Sequence, residues 1–286
     1  MSDHAQPFVL AGVMGWPVAH SRSPLIHGHW IAQYGLRGTY VPLPVRPDTL
    51  ETALRALPLL GFAGCNLTIP HKIAAVDIVD ELEPLARRIG AANTIVVRPD
   101  GSLLGRNTDA FGFIANLREA QPQWRADAGP AVMLGAGGAA RAVLAGLLDA
   151  GATEVRICNR TLETAQQLAH DFAGWGAAQL QAIPWQQRHN ALAGAALLVN
   201  TTSQGMQGQD PLDIALDALP SSAPVTDIVY TPLQTPLLQA AAARGNPTAQ
   251  GLGMLIHQAR PAFEAWFGVL PQTTPALWAA VTATLS

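Results

Sequence analysis

The feature that most constrains the fold of this sequence is a glycine-rich turn near its middle. Residues 131–134 are an apolar run, and residues 135–141 follow with the sequence Gly-Ala-Gly-Gly-Ala-Ala-Arg. This Gly-x-Gly-x-x-Ala pattern opens a long Ala- and Leu-rich stretch, which is typical of a strand that turns sharply into a helix. Gly135 permits the turn, Gly137 lets the backbone approach a pyrophosphate, and Ala140 lets the helix lie close to the sheet. The pattern predicts a parallel α/β sheet with a dinucleotide bound by Gly135, Ala136, Gly137, Gly138 and Ala139.

The residues after the next predicted strand, 154–158, favour NADP over NAD. An NAD site usually places Asp or Glu there for the ribose hydroxyls, whereas this chain has Asn159, Arg160 and Thr161. Arg160 can pair with a 2′-phosphate, and Thr161 can both bind it and cap a helix from Leu162. Taken alone, Arg160 would be an ordinary solvated side chain. We therefore expect NADP, with NAD still possible.

Strand-like runs alternate with helical stretches along the whole chain, which is the pattern of an α/β protein with two domains. The polar stretch 121–130 separates two series of strands. We predict a substrate-binding catalytic domain over residues 1–111, completed by helices in 252–286, and a Rossmann-type doubly wound parallel sheet over 112–251. Helices are expected to begin at Pro24, after a possible cap at Ser23, and near Thr49. The predicted strands are residues 8–13, 39–43, 65–69, 94–97, 102–104, 131–134, 154–158, 196–199 and 225–229.

Composition argues against several classes of partner. The formal net charge is −3, only 13% of residues are charged, and no basic run interleaves with aromatics, so we expect no nucleic acid. No apolar stretch approaches the roughly 20 residues of a membrane span, and residues 1–8 do not resemble a secretory leader. The two cysteines, Cys65 and Cys158, indicate neither a disulfide framework nor a metal pair. A cytoplasmic location is expected, with a monomer and a homodimer both open.

Polar clusters at predicted strand ends indicate a ligand site in the first domain. Ser21 and Ser23 flank a helix start, where first-turn N–H groups and the helix dipole favour a carboxylate. Helix capping is the alternative role for either serine. The other clusters are residues 66–72, 93–94 and 107–109.

Lys72 and Asp109 are the predicted proton-transfer pair. Lys72 follows Pro70 at the start of a predicted helix, where the dipole and partial burial would favour the neutral amine that accepts a proton. A carboxylate at Asp109 could orient the amine and the reacting hydroxyl. Each residue alone would more simply be an exposed lysine and a helix cap.

In order and spacing, the sequence resembles the shikimate dehydrogenase family over nearly its whole length. The motifs that carry the resemblance are residues 15–24, 66–72, 92–94, 107–109, 135–141, 159–161, 200–203, 227–230, 235–237 and 251–258.

The resemblance implies reversible, NADPH-dependent reduction of 3-dehydroshikimate to shikimate in the chorismate and aromatic amino acid pathway. It implies that Lys72 and Asp109 are catalytic, and that Thr201, Thr202, Gly251 and Met254 contact the cofactor. The residues that it assigns to the substrate are Ser21, Ser23, Asn66, Thr68, Asn93, Tyr230 and Gln258.

Three residues depart from the family pattern. Trp16 replaces a small polar residue, Gln250 replaces an acidic one, and Thr164 stands where some NADP-using members have a second arginine. A quinate/shikimate or aminoshikimate dehydrogenase using NAD(P) is therefore an alternative. From another class, a catalytically idle NADP-binding sensor is a second alternative, although such a protein has no need of Lys72 and Asp109.

The spacing of the histidines does not match a metal site. His20, His27 and His29 lie close in sequence, but His27 and His29 cannot share a helix face and no carboxylate joins them at ligand spacing. We expect no metal. His71 and His257 are expected to pack or to support neighbouring groups.

Overall fold

The computed structural model describes residues 7–285, which fall into two compact units. The first unit contains residues up to Thr108 together with Gln258–Thr284, and the second contains Asp109–His257 and Leu285. Residues 1–6 and Ser286, at the ends of the predicted substrate domain, lie outside the described residues. The expectation that there is no secretory leader rested on residues 1–8, and most of these also lie outside the described residues.

The first unit is built on a mixed six-stranded sheet. Its elements up to Thr108 are β1 (Val9–Gly15), α1 (Ser23–Gln33), β2 (Gly38–Pro44), α2 (Leu50–Ala56), β3 (Phe62–Leu67), β4 (Glu81–Leu82), α3 (Pro84–Ile89), β5 (Thr94–Val97) and β6 (Leu103–Arg106). The strand order is β2-β1-β3-β5-β6-β4. The strands β1, β2 and β3 are parallel, while β5 runs antiparallel to both β3 and β6. This arrangement brings the end of β3 and the start of β5 side by side, with Asn66 opposite Thr94.

Apolar packing secures the sheet of the first unit. Leu50, Leu54 and Leu57 from the α2 region bury their side chains against Cys65 and Ile95. Burying a leucine or isoleucine side chain stabilises a fold by roughly 1.5–3 kcal/mol. The central strands are therefore fixed by their side chains as well as by their backbone hydrogen bonds.

The second unit contains a parallel sheet with helices between its strands. Its elements are α4 (Asp109–Ala120), β7 (Ala131–Leu134), α5 (Gly138–Asp149), β8 (Glu154–Asn159), α6 (Leu162–Asp171), β9 (Gln179–Pro184), β10 (Leu197–Asn200), β11 (Val225–Asp227), α7 (Pro236–Ala243) and β12 (Thr248–Ala249). The strand order is β12-β11-β10-β7-β8-β9, and all pairings are parallel. The predicted Rossmann-type sheet is confirmed.

The strand order reverses between β7 and β10 in the second unit. From β7 the chain adds β8 and β9 on one side and then returns to add β10, β11 and β12 on the other. A crevice forms beyond the carboxyl ends of the strands at such a switch point, where ligands of open α/β sheets bind. The glycine turn follows β7, and Thr201 follows β10, so both lie at this end of the sheet.

Two helices complete the chain, α8 (Leu252–Phe267) and α9 (Pro275–Thr282). The division between the units falls within α8, after His257. Within the first unit the indole of Trp266 donates to the carbonyl oxygen of Ile95 at 3.0 Å, and Phe263 is fully buried. No helix within residues 7–285 is long and apolar enough to cross a membrane.

The sequence patterns missed three strands, of which β9 is the longest. It lies at the edge of its sheet, and none of its residues is fully buried. Its sequence, Gln-Leu-Gln-Ala-Ile-Pro, therefore has no continuous apolar run. An edge strand needs less apolar surface than a central one, so the pattern was too weak to identify it.

Candidate active site

The glycine turn of the second unit has the geometry that was predicted for it. Gly135 has a φ of 102°, a conformation that favours glycine, and its N–H donates to the carbonyl of Cys158 at 2.8 Å. A side chain here would come within 2.8 Å of Thr201 Oγ1. By contrast, a Cβ on Gly137 or Gly138 would meet nothing within 4 Å. The turn is tightly packed on its inner side and open on its outer side.

The start of α5 fits a pyrophosphate. Gly137 is the N-cap residue and no side chain caps this end, so first-turn N–H groups face the open space beside the turn. Ala140 is fully buried, which allows α5 to lie close to the sheet. The residues present therefore fit a dinucleotide, with no bulky side chain on the turn to exclude it.

The end of β8 offers a cation without a competing carboxylate. Arg160 is exposed, and the Nδ2 of Asn159 donates to the carbonyl oxygen of Thr161 at 2.9 Å. Thr161 is the N-cap residue of α6, as predicted, but the expected capping bond of its hydroxyl is absent, and Thr164 donates instead to its carbonyl. The part of the capping prediction that concerns the Thr161 side chain is wrong.

Thr201 and Thr202 line the switch point beside the glycine turn. The Thr201 hydroxyl donates to the carbonyl oxygen of Leu134 at 2.7 Å, which attaches it to the end of β7. Both the N–H and the hydroxyl of Thr202 donate to Asn200 Oδ1, at 3.0 and 2.7 Å. The Nδ2 of Asn200 donates in turn to Asp227 Oδ1 at 2.9 Å.

Tyr230 and Gly251 belong to the same end of the second unit. Tyr230 is half-buried three residues after β11, and Gly251 is buried with Val229 directly against it. Met254 lies half-buried in the first turn of α8. These three positions follow the carboxyl ends of β11 and β12, as residues of a cofactor crevice do.

The serines that are predicted to bind a carboxylate, Ser21 and Ser23, lie at the start of α1 in the first unit. Helix α1 begins at Ser23 with Arg22 as its N-cap residue, and no side chain makes a capping bond. The predicted cap at Ser23 is therefore wrong, whereas α2 begins at Leu50, beside the start predicted near Thr49. Ser21 Oγ instead accepts from the N–H of Ser23 at 3.3 Å. Both hydroxyls stay beside the helix N-terminus, where an anion is favoured.

Tyr40 joins the serine cluster to the polar residues of β3. Its hydroxyl donates to Asn66 Oδ1 at 2.7 Å and is hydrogen-bonded to Ser23. Burial raises the pKa of Tyr40 well above its usual value, so the hydroxyl is neutral. His27 stacks on the Tyr40 ring with the two centroids 4.0 Å apart. Burial lowers the pKa of His27 to about 3, which keeps the imidazole neutral as well.

A continuous hydrogen-bonded network runs from Asn66 to Gln258. The Nδ2 of Asn66 donates to the carbonyl oxygen of Asn93 and to Thr94 Oγ1, both at 3.1 Å. The Nδ2 of Asn93 donates to Thr108 Oγ1 at 3.0 Å and to Gln258 Oε1 at 3.2 Å. All of these side chains are buried. The structure therefore brings together four predicted substrate residues of the first unit: Ser23, Asn66, Asn93 and Gln258.

Thr68 and Lys72 are held by the segment that follows β3. The Thr68 N–H donates to the carbonyl of Met14 at 2.9 Å, and the Lys72 carbonyl accepts from the N–H of Ala92 at 2.8 Å. The α-helix expected at Lys72 is absent: the chain makes turns through residues 69–73 and then a four-residue 3-10 helix, Ala74–Asp77. The helix dipole therefore cannot have the effect predicted for Lys72, which is nevertheless half-buried.

Asp109 is the first residue of α4 and belongs to the second unit. Its side chain is only 6% exposed. The preceding residue, Thr108, is fixed to the first unit's network because its N–H donates to Asn93 Oδ1 at 2.8 Å. Asp109 is thus the residue that directly follows the predicted substrate network in the chain.

His71, His257 and Trp16 each contact a residue of their own unit. His71 Nε2 lies 2.8 Å from the carbonyl oxygen of Val45, and His257 Nε2 lies 2.6 Å from Glu119 Oε2. The ring of Trp16 is 46% exposed with the Arg46 guanidinium 6.0 Å from its centroid. Among residues 7–285, no group of three or more His, Cys, Asp or Glu side chains could hold a metal ion.

Gln250 and Thr164 are the other two departures from the family pattern. Gln250 contributes its carbonyl oxygen to Asn116 Nδ2 at 2.9 Å, a bond that any residue could provide. Thr164 is exposed in the first turn of α6.

Sequence reasoning gave no individual role to five polar residues that lie behind the predicted contacts, although Thr94 and Thr108 belong to the predicted polar clusters: Tyr40, Thr94, Thr108, Asn200 and Asp227. Tyr40 gave no signal, because it is one aromatic residue within an ordinary strand. Asn200 and Asp227 lie in recognised motifs, and their position at the carboxyl ends of two adjacent parallel strands could have indicated that they meet.

Comparison with known proteins identifies relatives over almost the whole chain. Three family models match: the shikimate dehydrogenase substrate binding domain over residues 13–95, the shikimate / quinate 5-dehydrogenase over 119–207, and the shikimate 5′-dehydrogenase C-terminal domain over 251–280. A shikimate dehydrogenase (NADP(+)) from Paramagnetospirillum magneticum is 58% identical over 95% of this chain and 97% of its own length.

Solved structures agree with the sequence relatives. Shikimate 5-dehydrogenase from Thermus thermophilus, in complex with NADP(H) and shikimate, has a TM-score of 0.85 at 37% identity, covering 97% of this chain and 100% of that chain. Quinate dehydrogenase from Corynebacterium glutamicum, in complex with NAD, has a TM-score of 0.88 at 30% identity, covering 98% and 99% of the two chains.

Proposed function

Because this chain belongs to the shikimate dehydrogenase family, we propose that it catalyses the reversible NADP-dependent interconversion of shikimate and 3-dehydroshikimate. The first unit binds the hydroxy acid, and the second binds NADP. The same family places the reaction in the chorismate and aromatic amino acid pathway. The observation that carries the proposal is the buried polar network from Ser23 to Gln258, which joins four of the residues that the family resemblance assigns to the substrate.

Each polar group of the network has a limited capacity for a ligand. Both N–H hydrogens of Asn66 Nδ2 are used within the protein, so its amide can only accept from a substrate hydroxyl. Gln258 Oε1 accepts from Asn93, so a contact of Gln258 with a substrate oxygen would use its amide nitrogen as the donor. A hydroxyl that bound Asn93 itself would replace one of these partners. Ser21 and Ser23 hold the carboxylate, with Thr68 and Tyr230 completing the contacts.

Lys72 transfers the proton, and Asp109 orients the Lys72 amine. In the oxidative direction the neutral Lys72 amine takes the hydroxyl proton as the adjoining carbon loses hydride, and the resulting ammonium returns that proton in the reductive direction. Bound NADP supplies the acceptor or donor of the hydride. Asp109, which is buried, orients the Lys72 side chain and the reacting hydroxyl.

The cofactor preference rests on the end of β8. Arg160 is an exposed cation on the turn after β8, and the turn residues Asn159, Arg160 and Thr161 include no carboxylate; the first acidic side chain beyond them is Glu163 in the first turn of α6. The pyrophosphate binds at the uncapped N-terminus of α5, at Gly135, Ala136, Gly137, Gly138 and Ala139. Thr201, Thr202, Gly251 and Met254 contact the rest of the cofactor.

The test is a steady-state assay with each acid and each nicotinamide cofactor. Purified protein with shikimate and NADP⁺ should produce reduced nicotinamide, followed by absorbance, with much slower turnover of quinate or of NAD⁺. Faster turnover of quinate with NAD⁺ would favour the second candidate, a quinate dehydrogenase, which the similarity to the Corynebacterium enzyme supports. Binding of both ligands without turnover would leave an NADP-binding sensor.

We propose further that the enzyme acts in the cytoplasm as a monomer or homodimer. Cys65 and Cys158 are both buried and free, which fits a reducing compartment. Light scattering of the purified protein measures the oligomeric state directly.

A further inference from the structure

Asp227, which no proposed contact uses, lies at the carboxyl end of β11 and is 1% exposed. Its carboxylate accepts three hydrogen bonds: Oδ1 accepts from Asn200 Nδ2 at 2.9 Å and from the Val229 N–H at 3.0 Å, and Oδ2 accepts from Thr235 Oγ1 at 2.7 Å. All three donors are uncharged. A carboxylate is costly to bury, and the three hydrogen bonds offset that cost. Each donor belongs to a different part of the chain.

One donor connects Asp227 to the glycine turn. Because Asn200 gives Nδ2 to the carboxylate, its amide cannot flip, and Oδ1 must face the N–H and hydroxyl of Thr202. The Thr202 hydroxyl also accepts from the N–H of Gln204 at 3.1 Å. Thr202 and Thr201 lie directly against Gly135, where a Cβ would come within 3.0 Å of the former and 2.8 Å of the latter.

The other two donors fix the segment that carries Tyr230. Val229 and Thr235 bracket it, and Thr235 also caps α7 by accepting from the N–H of Leu238. Gly251 packs on the same segment, since a Cβ there would lie 2.5 Å from the carbonyl oxygen of Val229. Loss of the carboxylate would therefore release both residues 200–204 and residues 228–235.

We propose that Asp227 is a positioning residue that holds residues 200–204 and 228–235 in a single arrangement and so shapes the nicotinamide half of the cofactor site. The inference rests on the proposed NADP site. The strand order explains why only one half is affected: Arg160 follows β8 on one side of β7, whereas Asn200 and Asp227 follow β10 and β11 on the other.

Two variants at Asp227 separate positioning from charge. In Asp227→Asn, the amide oxygen can still accept from Asn200 and Val229, and its nitrogen can donate to Thr235 Oγ1, so all three contacts survive without the charge. Asp227→Ala loses all three. The probes are NADP⁺ and adenosine 2′,5′-bisphosphate, which carries only the adenosine half, and their dissociation constants are measured by calorimetry.

We expect Asp227→Ala to weaken NADP⁺ binding at least about tenfold, while adenosine 2′,5′-bisphosphate binds within about twofold of the wild type. Asp227→Asn should bind both probes nearly as the wild type does. With shikimate and NADP⁺, kcat of Asp227→Ala should fall by about a hundredfold, the order expected when reacting groups are misplaced by about 1 Å.

Asn246→Ala is the matched control. Asn246 is also buried in the second unit, and its Nδ2 donates to the carbonyls of Pro220 and Ala223 at 2.8 and 2.9 Å, at the amino end of β11. It should lower stability without changing NADP⁺ binding. Should Asp227→Ala fail to fold, Asn200→Ala removes the arm to Thr202 and is expected to show the same selective loss of NADP⁺ binding.

Three results would overturn the inference: equal weakening of both probes, unchanged NADP⁺ binding in Asp227→Ala, or an Asp227→Asn protein that binds as poorly as the alanine variant. These binding results do not depend on the substrate. A wild type that binds NADP⁺ but leaves shikimate unreacted would refute the proposed reaction and leave the role of Asp227 standing.

Discussion

Replacing Tyr40 with phenylalanine removes one buried hydroxyl and almost nothing else. The ring keeps its stacking on His27, with centroids 4.0 Å apart, and its place between α1 and the aromatic residues of α8. No large cavity forms, so the usual penalty for truncating a core side chain is absent. The measurable change is the loss of the hydrogen bonds to Asn66 and Ser23.

The size of the effect follows from the burial of Asn66, which is 4% exposed. Without Tyr40 its Oδ1 loses a donor at 2.7 Å that water cannot easily replace. Leaving such an acceptor unpaired costs about 1–3 kcal/mol of the free energy of unfolding. For a domain of this size we expect a fall in Tm of about 2–4 °C for each kcal/mol.

The effect on activity should appear mainly in KM for shikimate. Asn66 keeps its two donated bonds to Asn93 and Thr94, so it stays in place, but Ser23 loses its bond to the Tyr40 hydroxyl and holds the substrate carboxylate less firmly. Contacts that act equally on substrate and transition state change KM and leave kcat alone. We expect KM for shikimate to rise about tenfold, the equivalent of one hydrogen bond, with kcat and KM for NADP⁺ little changed.

Tyr34→Phe is the matched control for this variant. The Tyr34 hydroxyl accepts from the N–H of Gln272 at 3.0 Å in an exposed position of the same unit. Its loss should alter neither Tm nor KM appreciably. If Tyr40→Phe lowered Tm while leaving KM unchanged, Tyr40 would serve packing alone. If neither quantity changed, the argument from the buried acceptor would be wrong.

Three further variants test other parts of the proposal. Lys72→Ala should lower kcat by about 10²–10⁴-fold with little change in NADP⁺ binding, and wild-type turnover would remove Lys72 from the mechanism. Arg160→Ala should lose affinity for NADPH far more than for NADH in binding titrations, and equal losses would refute a contact with the 2′-phosphate. Burial raises the pKa of Asp227 from 3.8 to about 6. The folded protein therefore binds this proton more tightly than the unfolded chain, and its stability should fall as pH rises through that window. Relative to Asp227→Asn, the free energy of unfolding should drop by about 2–2.5 kcal/mol between pH 4 and pH 7, and a constant difference would contradict the assignment.

The fold was predictable where burial is complete. Strand β7, Ala131–Leu134, is buried at every position and therefore reads as a continuous apolar run that ends at the glycine turn. The same reasoning identified β10 and β11. It failed for β9, whose edge position lets polar residues alternate with apolar ones, and for the segment after Lys72, where Pro70 suggested a helix start but the chain makes turns.

The predicted contact residues were easier to find than the groups that hold them. Ser21, Asn66 and Lys72 belong to short polar clusters at strand ends, which the sequence displays directly. Tyr40 is 26 positions from Asn66, on another strand. The two side chains meet because β2 and β3 are both neighbours of β1 in the sheet. Local sequence carries no information about such a pairing.

Tyr40 and Asp227 also differ in what a substitution can preserve. Tyr40 is a donor to an acceptor that is otherwise satisfied only in part, and no other side chain of similar shape supplies a hydroxyl there. Asp227 is an acceptor for three donors, of which Thr235 can reverse its bond, so asparagine can reproduce the geometry. Alanine at either residue removes the hydrogen bonds and side-chain packing together, so its effects on ligand binding and on stability are combined. The conservative variants, phenylalanine at Tyr40 and asparagine at Asp227, separate the positioning of a ligand contact from the stability of the unit that carries it.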